Sequence, residues 1–327
     1  MGTKEQVLAL LEQHRGACLS GAEIAGRLHL SRNAVWKAVN DLRKAGYQIE
    51  AATNRGYCLT DANDILSVQG ILPLLCENAR AFADSVIYEK ESRSTNRTAK
   101  ALALDGAAHG TTVLADSQSS GRGRYSRSFF SPPGGLYLSI ILHPERLHFS
   151  QITAVTAFAA VAVCEAIEAV TGRAPAIKWV NDLFLGGKKV CGILTEAVTD
   201  FESGSHSWVV VGIGINVHAK QADFPPELRE TATSLYPDTL PESGIRNRLA
   251  AEIINRLAGF DTPPDEKEIF AEYRKRLMML GKQVTVIRGD ETYCAVAEDI
   301  DETGRLMLRT PDGQRQILSS GEIRILT

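Results

Sequence analysis

The sequence predicts a multidomain α+β protein: a helical head closed by a hairpin, a mixed α/β body, and a short all-β tail. Three observations predict it. The chain has 327 residues, more than one hydrophobic core organises at ~150 residues per domain. Helical periodicity with serine caps fills the first sixty residues, whereas long apolar strands and one Ala/Val-rich helix fill the middle. The last part breaks into short strands separated by glycine turns. The composition, 44% hydrophobic and 23% charged, is that of an ordinary globular chain. No unbroken apolar run reaches the ~18 residues of a membrane span. The opening MGTKEQVLALLEQHRG carries acids inside its apolar stretch and has no small-residue cleavage site, so a signal peptide is not expected. The cytoplasm is the expected compartment, with no membrane partner.

The head is read first. Val7, Leu10 and Leu11 share one helical face. Ser20 and Glu23 have the spacing of a capping box, and Ile24 and Leu28 continue the apolar stripe. After a break at His29-Leu30, Ser31 is a second N-cap, and Ala34, Val35, Ala38, Val39 and Leu42 form the next apolar face. The opposite face carries Arg32, Asn33, Lys37, Asn40, Arg43 and Lys44. Two short helices across a tight turn make a helix-turn-helix, the second helix suited to a major groove. Asn54-Arg55-Gly56 between Ile49 and Leu59 predicts a hairpin, which would be a wing with Arg55 at its tip. Ser31, Arg32, Asn33, Lys37, Asn40 and Arg55 are therefore the candidate DNA contacts. The bland alternative is a small helical domain with a solvated polar face. Charge favours DNA: residues 1–60 hold eight Lys/Arg against five Asp/Glu, while the remainder is net acidic. A basic head on an acidic body suits a polyanion.

The six cysteines, Cys18, Cys58, Cys76, Cys164, Cys191 and Cys294, are scattered, without CxxC spacing or a histidine cluster. Buried free thiols are expected, and neither a zinc site nor a disulfide.

In the body, Thr111–Ala115 and Leu136–Leu142 read as buried strands, and SSGRGRYSRSFFSPPGG (119–135) as the loop between them. Phe149–Val170, free of Gly and Pro, reads as a buried helix. Ile177–Leu185 and Val190–Ala197 read as strands joined by a turn at Gly186-Gly187, and Trp208–Val217 as a further strand. Four polar pieces lie at strand ends or junctions: Ser94-Thr95-Asn96, the arginine loop, Lys178-Trp179-Val180-Asn181-Asp182 with Lys189, and Gly212-Ile213-Gly214-Ile215-Asn216. Each alone has an ordinary reading: a nucleic-acid loop, a turn, a solvated lysine, a packing glycine. Together they suit anionic oxygens, because arginine forks and glycine-rich backbone N–H groups bind them. There is neither a GxxxxGK[ST] loop nor a GxGxxG opening a helix. A flexible basic loop folding over an anion fits, with Asp182 able to hold Mg²⁺ beside a nucleotide phosphate. Lys189 would offset charge on a carboxylate and on the phosphoryl group it attacks.

At these residues the sequence resembles the biotin–protein ligases, in the bifunctional bacterial form that also represses the biotin operon. STN at 94–96, GRGR at 121–124, KWVND with KKVCGI across 178–193, and GIGIN at 212–216 carry the match, in the family's order. The resemblance covers essentially the whole chain. It implies a winged helix-turn-helix over 1–63, a catalytic domain resembling the class II aminoacyl-tRNA synthetase core over 64–280, and a terminal domain over 281–327. It implies that biotin and ATP, with Mg²⁺, form biotinoyl-5′-AMP, and that biotin then passes to a lysine of the carboxyl-carrier domain of acetyl-CoA carboxylase or another biotin-dependent carboxylase. It also implies that biotinoyl-AMP promotes a homodimer that binds operator DNA.

By motif position, Ser94, Thr95, Asn96, Gln118, Arg122, Gly123, Arg124, Lys189 and Gly192 would bind biotin. Arg122, Arg124, Arg127, Asn181 and Asn216 would bind ATP or the adenylate, and Asp182 the metal. Lys189 and Arg124 would be catalytic. The chain departs from the family pattern at Arg93, where an acid is common, at Val180, where proline is usual, and at Tyr125-Ser126, where a basic residue or glycine is common. A transcription regulator that only senses a small molecule, without ligase activity, is the alternative, and a ligase for lipoate a third reading.

In the tail, Leu280-Gly281 closes a helical segment containing Ile269, Tyr273 and Leu277. Short strands follow at Val284–Ile287, Thr292–Ile300, Arg305–Arg309 and Gln314–Leu318. About five strands in so short a segment predict a small SH3-like barrel.

Overall fold

The computed structural model describes residues 1–52, 55–60, 64–143, 152–199, 206–239, 244–261 and 265–326. Asn54 of the expected wing turn, the expected boundary at residue 63, and the expected start of the long helix at Phe149 lie outside them.

Three helices, α1 (Thr3–Gln13), α2 (Gly21–Leu28) and α3 (Arg32–Lys44), pack around Val7, Leu11, Ile24, Val35, Val39 and Leu42. Ser20 Oγ accepts from Glu23 N and Ser31 Oγ from Ala34 N, each at 3.1 Å, so both expected N-caps form. The Glu23 carboxylate pairs with Arg27 at 2.7 Å. His29 turns the chain between α2 and α3 with φ 52°. Strands β1 (Cys18–Leu19), β2 (Ile49–Ala52) and β3 (Gly56–Leu59) form a sheet in the order β1-β3-β2. The β2–β3 hairpin is the wing, and Gly56 is required there: a Cβ would lie 2.1 Å from the Leu19 carbonyl oxygen.

This sheet corrects the cysteine reading. Cys18 and Cys58 stand directly opposite in the β1–β3 ladder with Cα atoms 4.2 Å apart, and they form a disulfide. Their separation of 40 residues concealed a pairing that the antiparallel register imposes. Cys164 and Cys191 are buried free thiols as expected, but Cys76 and Cys294 are exposed. Burial pushes the Cys164 thiol up to about 12.

After the short helix α4 (Val68–Ile71), the body builds one seven-stranded sheet. Its strands are β4 (Val86–Ser92), β5 (Thr112–Gln118), β6 (Leu136–Leu142), β7 (Ala176–Lys178), β8 (Asp182–Leu185), β9 (Lys188–Thr199) and β10 (His206–Ile215). Their order is β4-β5-β6-β10-β9-β8-β7, antiparallel except for β4–β5. Leu136, Leu138, Ile140 and Leu142 of β6 face α6 (Ile152–Thr171) and α7 (Ile245–Leu257) in the main core. The alternate residues face α5 (Thr95–Leu104), where Ala99, Ala103, Val113, Ile141 and Val210 pack together. Helix α6 is long and apolar enough to cross a membrane, but most of it is buried in this core.

Two expected strands need correction. Ile177–Leu185 is not continuous: the chain reverses at Trp179-Val180-Asn181, a turn with a cis Trp179–Val180 peptide, so that Lys178 pairs with Asp182 across β7 and β8. Strand β5 extends past the expected end at Ala115 through Asp116-Ser117-Gln118, up to the expected start of the arginine loop at Ser119.

Helix α8 (Glu266–Arg276) leads to a five-stranded antiparallel sheet of β11 (Gln283–Arg288), β12 (Glu291–Ile300), β13 (Leu306–Arg309), β14 (Arg315–Leu318) and β15 (Glu322–Ile325), in the order β14-β13-β12-β11-β15. Trp179 of the body donates its Nε1–H to Gly304 O of this tail at 2.9 Å, and Tyr273 Oη donates to Val180 O at 2.7 Å.

Candidate active site

Directly opposite residues in an antiparallel sheet share a face. Ser139, Gly212 and Leu194 therefore form one cross-strand row, and Tyr137, Gly214, Gly192 and Asp182 the next. Glycines occupy the middle of both rows, which leaves a trough across the sheet. Other side chains use that space. A Cβ on Gly212 would lie 1.8 Å from Asn96 Oδ1, and one on Gly214 would lie 2.6 Å from the Phe129 ring. The GxG pattern thus makes room for one residue of the STN segment and one from the end of the arginine loop.

Above the trough lies a cavity of about 600 Å³, within the usual range for small-molecule sites. It gathers Ser94, Thr95, Asn96, Gln118, Arg122, Gly123, Arg124, Arg127, Asn181, Asp182, Lys189, Gly192 and Asn216. Every residue expected to meet biotin, ATP or metal lines this one space. Ser94, Thr95 and Asn96 open α5 and are buried. Thr95 N donates to Gln118 Oε1 at 2.9 Å, and Gln118 Nε2 donates to Ser131 Oγ at 2.9 Å.

The arginine loop closes on itself. Gly123 N donates to Arg127 O at 2.8 Å, and Phe129 N to Gly121 O at 2.9 Å. The basic groups thus stand on a loop that two backbone hydrogen bonds close into a turn. Arg124 donates to Asn181 Oδ1 at 3.4 Å and lies over the Tyr125 ring. Arg127 pairs with Glu322 of β15, and that hydrogen bond holds the Glu322 carboxyl below its ordinary value.

Lys189 Nζ lies 2.7 Å from Asp182 Oδ1 and 5.8 Å from the Phe129 ring centroid. Lys178, behind them, has its pKa lowered by burial, against the attraction of Asp182 and Glu322. Asn181 Nδ2 donates to Ile193 O at 2.6 Å, and Asn216 Nδ2 to Thr233 O at 3.1 Å. Cations outnumber the cavity's two carboxylates, Asp182 and Glu322, so the site is built for an anion.

The sequence reading did not assign Phe129, Phe130, Lys178, Phe184, Glu322 or Arg324, all of which line the cavity. Lys178 and Phe129 lie inside quoted motifs and could have been found. Glu322 and Arg324 arrive from the tail by folding alone.

The expected DNA contacts occupy a different surface. Ser31, Arg32, Asn33 and Lys37 are exposed along α3, Asn40 is half-buried, and Arg55 is exposed at the wing. Trp36, 57% exposed among them, was missed.

Residues 3–58 match the HTH domain family, 88–216 the biotin/lipoate A/B protein ligase family, and 279–325 the biotin protein ligase C-terminal domain. The bifunctional ligase/repressor BirA of Bacillus spizizenii is 35% identical over 323 residues, 97% of each chain. The chain belongs to the bifunctional biotin–protein ligase/repressor family. The Escherichia coli ligase/repressor is 29% identical over 98% of this chain and 96% of its own. Among solved structures, the Aquifex aeolicus biotin protein ligase in complex with biotin and ATP is similar with a TM-score of 0.62 and 30% identity, over 74% of this chain and 98% of that one. The ligase/repressor family therefore accounts for the head, body and tail together.

Proposed function

We propose that this chain activates biotin with ATP, transfers it to a protein lysine, and represses transcription when its adenylate is bound. One observation carries the reading: a single cavity holds the STN segment, the arginine loop, Lys189 and Asp182 over a glycine trough. The biotin carboxylate oxygen attacks the α-phosphorus of ATP, the bond to the bridging oxygen breaks, and pyrophosphate leaves. Both reactants are anions, so positioning and charge neutralisation are the main requirements. Ser94, Thr95, Asn96 and Gln118 take the far end of biotin, with Arg122, Gly123 and Gly192 beside it. Lys189 holds the carboxylate against the α-phosphate, and Arg124 covers the adenylate. Arg127, Asn181 and Asn216 belong to the nucleotide side. In the second step, a lysine amine of a carboxyl-carrier domain attacks the acyl carbon and AMP leaves.

Mg²⁺ fits this cavity. It typically takes one or two carboxylates and completes its shell with substrate phosphates and water, and Asp182 supplies one carboxylate beside the Asn181 amide. No group of three His, Cys, Asp or Glu stands together among the described residues. When bound, the ion would neutralise charge on the phosphates.

The domains on this reading are 1–63, 64–280 and 281–327, the body resembling the class II synthetase core and the tail an SH3-like barrel. The protein acts in the cytoplasm, and its adenylate promotes a homodimer that brings two winged helices to two half-sites of operator DNA. ATP–pyrophosphate exchange tests the enzyme half. Exchange with biotin, and not with lipoate or octanoate, is expected in Mg²⁺. No exchange with any acid would leave a binding lid and a sensor.

A further inference from the structure

Behind the cavity wall lies an ion pair that none of the four motifs contains. Lys100 follows Asn96 by four residues on α5, so the two side chains share a helix face. Glu196 stands on β9, on the same sheet face as Leu194. One Glu196 oxygen takes Lys100 Nζ at 2.5 Å, and the other takes Asn96 Nδ2 at 2.9 Å.

The partners fix the direction of every hydrogen bond that follows. A carboxylate and a backbone carbonyl only accept. Asn96 Nδ2 faces Glu196 and the Leu194 oxygen, the latter at 3.2 Å. Asn96 Oδ1 therefore faces Ser139 Oγ, 2.6 Å away, and Ser139 donates its single hydrogen there. The 2.8 Å contact between Ser139 Oγ and Thr95 Oγ1 then runs the other way, with Thr95 as donor. Thr95 has no hydroxyl hydrogen left for Gln118 Oε1, which takes the Thr95 backbone N–H instead. Thr95 Oγ1 and Gln118 Oε1 are thus left with free lone pairs at the cavity, where they act as acceptors.

We propose that Glu196 is a positioning residue: by accepting from both Lys100 and Asn96 it keeps the Lys100 ammonium from turning the Asn96 amide over, and so keeps the buried end of the cavity receptive to ligand N–H groups. The inference rests on the ligase reading above. The cyclic urea of biotin offers two N–H donors, whereas an alkyl or dithiolane acid offers none.

The proposal makes a non-additive prediction. In Glu196→Ala the Lys100 ammonium stays beside the Asn96 amide and attracts its oxygen. The amide turns over, Ser139 then donates toward Thr95, and Thr95 toward Gln118, so ligand acceptors are lost. In Lys100→Ala/Glu196→Ala the ammonium is gone, and the Leu194 carbonyl holds the amide in its original sense.

Biotin-dependent ATP–pyrophosphate exchange on the full chain reads this directly, with a thermal melt of each variant. Glu196→Ala is expected to raise KM for biotin about tenfold, the scale of one lost hydrogen bond, with kcat within about twofold. Lys100→Ala should change KM little, and the double variant should recover most of the loss. Glu196→Gln keeps the volume but has one acceptor oxygen for two donors, so its KM should fall between those of wild type and Glu196→Ala. It serves as the test if Glu196→Ala fails to fold. A wild-type KM in both Glu196 variants, or a double variant as impaired as Glu196→Ala, would overturn the proposal. Absence of exchange in the wild type would instead overturn the ligase reading.

Discussion

Gly212→Ala tests the trough. The new Cβ would lie 1.8 Å from Asn96 Oδ1 and 2.6 Å from Asn96 Cγ, against the ordinary van der Waals separation of about 3.5 Å. Strand β10 cannot retreat, because it is paired on both sides, with β6 and β9. Asn96, 5% exposed, must move instead, and its bonds to Ser139 and Glu196 break. Losing one neutral and one charge-assisted hydrogen bond, with the overpacking itself, amounts to about 3 kcal/mol. In a body of this size that lowers Tm by about 9 °C. The displaced Asn96 also releases Ser139 and Thr95, so KM for biotin should rise at least about tenfold. Differential scanning calorimetry and pyrophosphate exchange read the two effects. Gly212→Ala/Asn96→Ala removes the collision and should melt above Gly212→Ala alone. A Gly212→Ala variant with wild-type Tm and KM would refute the claim that this glycine makes room for Asn96.

Lys189→Ala should reduce pyrophosphate exchange by about two to three orders of magnitude, the scale of losing one preorganised charge at a reacting phosphoryl group; wild-type exchange would remove Lys189 from the chemistry. Arg124→Ala should still form adenylate but release it, so that bystander lysines on added serum albumin become biotinylated; full retention of the intermediate would contradict its covering role. Arg32→Ala and Lys37→Ala should each lessen the salt dependence of operator binding by about one unit of slope if they contact phosphates, and an unchanged slope would assign them elsewhere. Cys58→Ser removes a crosslink closing a 40-residue separation, worth up to about 4 kcal/mol by loop entropy; equal melting of variant and oxidised wild type would show that the bond does not stabilise the head.

Much of this arrangement was legible because its signals are local. Ser20 and Ser31 cap the helices that their spacing predicts, and Leu136–Leu142 is a strand with the expected bounds. The arginine loop stood out by composition alone, and its Arg122, Arg124 and Arg127 line the cavity. What stayed hidden depends on register and long-range contact. Nothing near Cys18 points to Cys58 until β1 and β3 align. Glu322 lies 195 positions from Arg127, and no period in the sequence joins them. The reversal at Trp179–Asn181 was lost because the surrounding residues suit a continuous strand, whereas their anchors, Gly304 and Tyr273, come from the tail and α8. Glu196 is a half-buried acid that follows the run Val190-Cys191-Gly192-Ile193-Leu194 of β9, and that position was the available clue.

These long-range anchors tie the cavity to the tail and to the segment that leaves the head. Arg246 of α7 is buried between Asp64, just beyond the head, and Asp116 of β5, two residues before Gln118. It also donates to Gly135 O, just before β6. A buried guanidinium with two carboxylates keeps its geometry because each group left alone would be strongly disfavoured. The chain entering the body from the head is thereby fixed to the strand that carries Gln118 into the cavity. On the far side, Trp179 and Arg127 fasten the reversal and the arginine loop to Gly304 and Glu322 of the tail. An anion that draws Arg127 away from Glu322 would alter the tail contact, and a shift of β5 would be felt at Asp64. The Arg246 cluster joins the segment that leaves the head to β5 by direct polar contacts, two residues before the Gln118 that lines the cavity.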